Sequence, residues 1–161
     1  MPTSTNWQSI VASALDWEQG HATFDAAVRG LAESDRGKRP RRIPHSAWQL
    51  VEHIRITQHD LLEFCRNPKY EETLTWPEGY WPPTAAPPSD NAWHASIAKL
   101  KSDRRALKRF ATSAKVRLTS KIPNGGGKTY LRTIILAVDH TSYHVGQIIL
   151  VRRLLGAWPE T

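Results

Sequence analysis

A chain of 161 residues, 40% of them hydrophobic, suits one domain that buries about two-thirds of its unfolded surface, and it is too apolar to stay disordered. The net charge of +7 favours anionic partners, while a lone cysteine, Cys65, excludes an internal disulfide framework or a cysteine zinc cluster and suits a reducing compartment. No apolar run approaches the roughly 20 residues of a membrane helix, and Met1-Pro2-Thr3-Ser4-Thr5-Asn6 lacks the basic-then-apolar layout of a secretory signal, so a cytoplasmic protein is expected.

Four helical patterns follow in chain order. The first opens at Thr5-Asn6-Trp7-Gln8, which fits a capping box. Its apolar stripe runs Trp7, Ile10, Val11, Ala14, Trp17, Phe24, Val28 and Leu31 at helical spacing, with Gly20 a modest interruption. Gly37, Pro40 and Pro44 end it. The second begins with a capping box at Ser46-Ala47-Trp48-Gln49, carries Leu50, Val51, Ile54, Leu61, Leu62, Phe64 and Cys65, and stops at Asn67-Pro68.

A long connection, Lys69 to Pro88, holds too many prolines for a helix and too many aromatics for a disordered linker. It is expected to drape over an end of the domain. The third helix starts near Ser89 or Asp90 and runs through Trp93, Ile97, Leu100, Leu107 and Phe110 to about Ala114. Lys115 to Lys121 reads as a short extended piece, and Pro123-Asn124-Gly125-Gly126-Gly127 as a turn. The fourth helix spans about Thr129 to Leu155, capped by Gly156, with a core-facing row of Thr133, Ala137, His140, His144, Ile148, Val151 and Leu155. Four amphipathic helices imply an all-α four-helix bundle over residues 1–161, with any site lying between facing helices.

Basic residues cluster at Arg36, Lys38, Arg39, Arg41 and Arg42, and again at Lys99, Lys101, Arg104, Arg105, Lys108 and Arg109. No nucleic-acid motif accompanies them, so both groups read as solvated surface and no nucleic-acid partner is expected. The triplet Gly127-Lys128-Thr129 resembles the end of a phosphate-binding loop, but Ile122 stands where that motif needs its first glycine and no strand precedes it. A hairpin-like turn before the fourth helix is the better reading.

His140 and His144, four apart on the fourth helix, point to one side and can reach a common point. An imidazole on a core-facing row needs a partner, and a metal is one such partner. In metalloproteases of this spacing a glutamate follows the first histidine; here Thr141 does, so that chemistry is excluded. Of the other histidines, His53 lies near the edge of the second helix's apolar face. His45 reads as exposed, His59 as rotated away from His53, and His94 as sitting in the first turn of the third helix. His21 falls on the first helix's apolar row, where it could approach the same cavity.

The sequence resembles the DinB/YfiT-like family of four-helix bundles over nearly its whole length. The resemblance rests on Ser46-Ala47-Trp48-Gln49-Leu50-Val51-Glu52-His53-Ile54, on Trp76-Pro77 through Tyr80-Trp81-Pro82, and on Thr129-Tyr130-Leu131-Arg132. It rests most on Asp139-His140 through Tyr143-His144-Val145-Gly146-Gln147-Ile148 and on Arg152-Arg153-Leu154-Leu155-Gly156. It implies a divalent metal, usually nickel or zinc, held by one histidine of the second helix and two of the fourth, here His53, His140 and His144.

The family's similarity in fold to thiol-dependent S-transferases implies a low-molecular-weight thiol as cosubstrate and a small electrophile as partner. The alternatives are a hydrolytic variant and a bundle that binds metal or a small molecule without turnover. Gln147 and Thr57 are expected to orient the imidazoles, Asp139 is not, and no residue is assigned a catalytic role. The seven tryptophans raise homodimerisation as a further expectation.

Overall fold

The computed structural model describes residues 6–18, 20–123 and 125–159. The elements are α1 (Trp7–Ala14), α2 (Phe24–Val28), α3 (Ala47–Arg66), α4 (Asp90–Thr112) and α5 (Tyr130–Leu154), with one-turn 3-10 segments at Glu33–Asp35 and Glu78–Tyr80. Among the described residues there is no strand, only an isolated bridge between Lys121 and Thr129.

Helix α1 touches α4 and α5, and both of these touch or neighbour α3 in turn, closing a ring in the order α1, α4, α3, α5. Helices α3 and α4 run in the same direction, since Glu52 meets Ser96, Gln58 donates to the Leu100 carbonyl and His59 meets Asp103. Helix α5 runs against α3: Leu50, Val51 and Ile54 pack with Val145, Ile148 and Val151, while Leu61 and Leu62 pack with Ile134 and Ala137. Helix α1 runs against α4, with Gln8 bonded to the Val116 carbonyl and Asp16 to Lys108.

Parallel neighbours oblige the chain between α3 and α4 to travel back along a helix of 20 residues, about 30 Å. It does so along the flank of α3, not over an end of the domain as its composition suggested. Tyr70 meets Asp60, the Glu78–Tyr80 turn packs on α3, and the Ala85 carbonyl accepts from Ser46 at the start of that helix.

Local sequence accounts for the helix ends. Ser46 and Gln49 form the expected capping box of α3, Ser89 caps α4 and Thr129 caps α5. Gly156 takes φ +68° after α5, a conformation open to glycine without the cost of a Cβ, and the Ala157 amide returns to the Arg152 carbonyl. The α1 cap is Asn6, whose side chain accepts from the Gln8 amide; Thr5, the start of the expected box, lies outside the described residues.

The first expected helix is in fact two. It breaks after Leu15 and resumes at Phe24, capped afresh by Thr23. Its inward residues are Ala12, Leu15, Phe24, Ala27, Val28 and Leu31, whereas Trp7, Ile10 and Trp17 are nearly half exposed. The inward face of α1 runs through Ala12 and Leu15, rotated from the row of Trp7, Ile10 and Trp17, and the helix ends before Trp17. The Lys115–Lys121 stretch is likewise turns, not extended chain, and inserts Leu118 into the core. The Gly-rich turn behaves as read, with Ile122 and Lys128 paired across it.

The basic clusters are less solvated than their composition suggested. Arg36 and Arg104 are buried and paired with Asp90 and Asp25. Helix α5, of 25 residues, is long and apolar enough by length and composition to cross a membrane, although polar residues interrupt its apolar run; in the bundle it carries the buried row from Thr133 to Val151.

Candidate metal centre

His53 projects from the middle of α3, and His140 and His144 from successive turns of α5. His53 and His144 are buried and His140 is half-buried. Their ring centroids lie 4.5–4.8 Å apart, and one ligand nitrogen from each falls within 4.8 Å of the others. Three imidazole nitrogens so close together are a donor set that could hold one divalent ion.

Hydrogen bonds fix which nitrogens face inward. His53 Nδ1 lies 2.8 Å from the Tyr80 carbonyl and His144 Nδ1 2.7 Å from Gln147 Oε1. Both partners only accept, so each Nδ1 carries a proton and donates, leaving an Nε2 lone pair for the centre. His140 Nε2 sits 3.0 Å from His53 Nε2. Two lone pairs at that distance repel, and either a proton on His140 or a cation between the rings relieves them. The donor set therefore fits a divalent metal.

Burial holds all three rings neutral. It lowers His140 to about 3, with its two histidine neighbours adding to the shift. It lowers His144 to about 4 against the opposing pull of Gln147, and lowers His53 against that of the Tyr80 carbonyl. In the metal-free protein the unfolded chain takes up protons near pH 6.5, while the folded rings stay neutral to lower pH, His140 and His144 well below it. The unfolded state then binds more protons, so stability is present above pH 6.5 and is lost as pH falls. The unfolding free energy of chelator-treated protein, from urea titrations, is expected to drop from pH 7.5 to pH 5 by up to about 1.4 kcal/mol per pH unit for each histidine, and His140→Gln should flatten that slope. Equal slopes would contradict the buried, neutral assignment.

The long connection completes the site. Trp81 stacks on His53 with parallel rings 3.8 Å apart, and His45 stacks on its other face at 3.9 Å. Sequence reasoning missed Tyr80, Trp81 and His45 as parts of the centre. His45 is half-buried, not exposed, because Trp81 covers it. The signal lay in the Tyr80-Trp81 pair among prolines, but a connection without periodicity carries no register from which to place it.

The other expectations divide. Gln147 orients His144 as anticipated and Asp139 is exposed, away from the cluster. Thr57 does not hold His53; its hydroxyl is buried without a hydrogen-bond partner among the described residues, because His53 Nδ1 turns outward to the connection. His21 is exposed on the broken segment after α1 and bonds to the Ala22 carbonyl, so it does not enter the cavity. His59 pairs with Asp103, and His94 is exposed at the start of α4.

No curated protein and no solved structure is significantly similar to the chain. A profile of the DinB superfamily matches residues 16–148, a span that includes His53, His140 and His144. With most of its length so matched and its fold an all-helical bundle, the chain belongs to the DinB superfamily.

Proposed function

We propose that His53, His140 and His144 hold one divalent metal, nickel or zinc, and that the centre serves a thiol S-transferase acting on a small electrophile. The observation that carries this reading is the convergence of three neutral imidazoles, two with Nδ1 tied to acceptors so that Nε2 faces the middle. A bound divalent cation would supply the positive charge that favours thiolate over thiol, or hydroxide over water.

The chain's own residues do the rest. Neutral imidazoles leave that charge uncancelled, which favours an anionic ligand such as a thiolate. Trp81 and His45 wall off the His53 side from water. Cys65 does not serve as the nucleophile: it is buried in α3, and burial pushes its thiol up to about 12. The thiol must then come from outside, which supports a low-molecular-weight cosubstrate and a reducing, cytoplasmic setting. A small molecule, not a nucleic acid, is the proposed partner, since Arg36, Arg104 and Lys108 are engaged in ion pairs.

Protein purified from nickel- or zinc-supplemented cells is expected to carry close to one metal per chain. Its cobalt(II) form should develop a sulfur-to-metal charge-transfer band with glutathione, cysteine or a related thiol. Full metal loading with no band from any thiol would reject the transferase reading and leave a metal-binding bundle.

A further inference from the structure

His53 and Asp60 lie seven residues apart on α3, two helical turns and about 10 Å along one side of the helix. Tyr80 spans that distance. Its hydroxyl donates to Asp60 Oδ2 at 3.0 Å, and its backbone carbonyl accepts from His53 Nδ1 at 2.8 Å. Asp60 also accepts, through Oδ1 at 2.7 Å, the hydroxyl of Tyr70, so one carboxylate ties down two points of the same connection. Tyr80 is buried, and burial with the Asp60 carboxylate pushes its phenol well above the usual range, so it stays a donor.

We propose that Tyr80, braced by Asp60, is a positioning residue that fixes the tautomer and rotation of His53. This inference rests on the reading of the three histidines as a metal centre. A carbonyl on a connecting segment would orient an imidazole poorly if the segment could slide along α3. Two anchors remove that freedom: the phenol at Asp60 sets where the Tyr80 carbonyl stands along α3, and Trp81, held between His45 and His53, fixes the tilt of the ring. Tyr70 shares the carboxylate but, among the described residues, has no hydrogen bond to a histidine, so it anchors the connection without aiming the ligand.

The test compares Tyr80→Phe with Tyr70→Phe in the full chain. Each loses one hydroxyl to Asp60, and each should cost a similar, modest amount of thermal stability. Only Tyr80→Phe, which frees the segment whose carbonyl holds His53, should speed release of cobalt(II) to a competing chelator, by up to about 10-fold, the low end of the effect of losing a ligand's direct partner. It should also shift the cobalt ligand-field bands, which a general loosening of the fold would leave in place.

In metal-free protein, the side-chain ¹⁵N shifts of His53 should report a proton on Nδ1, and Tyr80→Phe should raise the fraction carrying it on Nε2. Equal release rates in the two variants, or an unchanged His53 tautomer in Tyr80→Phe, would overturn the proposal. Failure of the unsubstituted protein to bind metal would instead overturn the metal centre, while the nitrogen shifts would still decide the role of Tyr80.

Discussion

Alanine in place of His53, His140 or His144 is expected to reduce bound nickel or zinc from near one per chain to a small fraction, read by metal analysis after dialysis. Each histidine would contribute one of only three protein ligands, and removing one leaves two imidazoles with no third nitrogen in reach among the described residues. Loss of a mere supporting hydrogen bond weakens such a site about 10- to 100-fold, so loss of a ligand should cost at least the upper end of that range. The metal-free fold should survive, because the rings are costly to bury and removal of one relieves the close approach of His53 and His140. Full metal content in all three variants would refute the assignment.

Leu107→Ala is expected to act in the opposite sense, lowering stability by about 2–5 kcal/mol while leaving one metal per chain. Leu107 is fully buried in a cluster with Leu15, Leu61, Leu62, Ala111, Leu118 and Ile134. The residues around the histidines belong to a second cluster built on Leu50, Val51, Ile54, Val145 and Ile148. Truncating leucine to alanine in the first cluster leaves a cavity that the helices cannot close without moving, and the loss lowers the stability of the whole cooperative unit. Urea unfolding with parallel metal analysis would separate the two effects. A variant that lost metal in proportion to stability would show that the clusters are not independent.

Much of this was legible in the sequence because helices repeat. The spacing of Thr133, Ala137, His144, Ile148 and Val151 gave the buried row of α5, and Ser46 with Gln49 gave the start of α3. The pairing of His140 with His144 followed from the same period, while His53 entered through family resemblance. Legibility ended where periodicity did. Trp17 and Trp7 look like core residues by hydrophobicity, yet the chain breaks between them and Phe24 and leaves both nearly half exposed. Nothing in Tyr80-Trp81 announces that one residue's carbonyl and the next residue's indole meet the same imidazole. Those contacts depend on where a non-repeating segment comes to rest, and that segment is bonded to a carboxylate two turns beyond His53 on α3.

The parallel course of α3 and α4 has a consequence for how such a protein can diverge. Any bundle in which helices consecutive in the chain lie side by side and parallel must carry a return strap about the length of a helix, whatever its function. Here that obligatory strap lies against His53 through Tyr80 and Trp81 and adds its own polar and aromatic contacts to those between the helices. Trp81 packs against one of the two hydrophobic clusters, so exchanges on the strap that leave Tyr80 and Trp81 in place can alter the surroundings of the histidines without disturbing the scaffold.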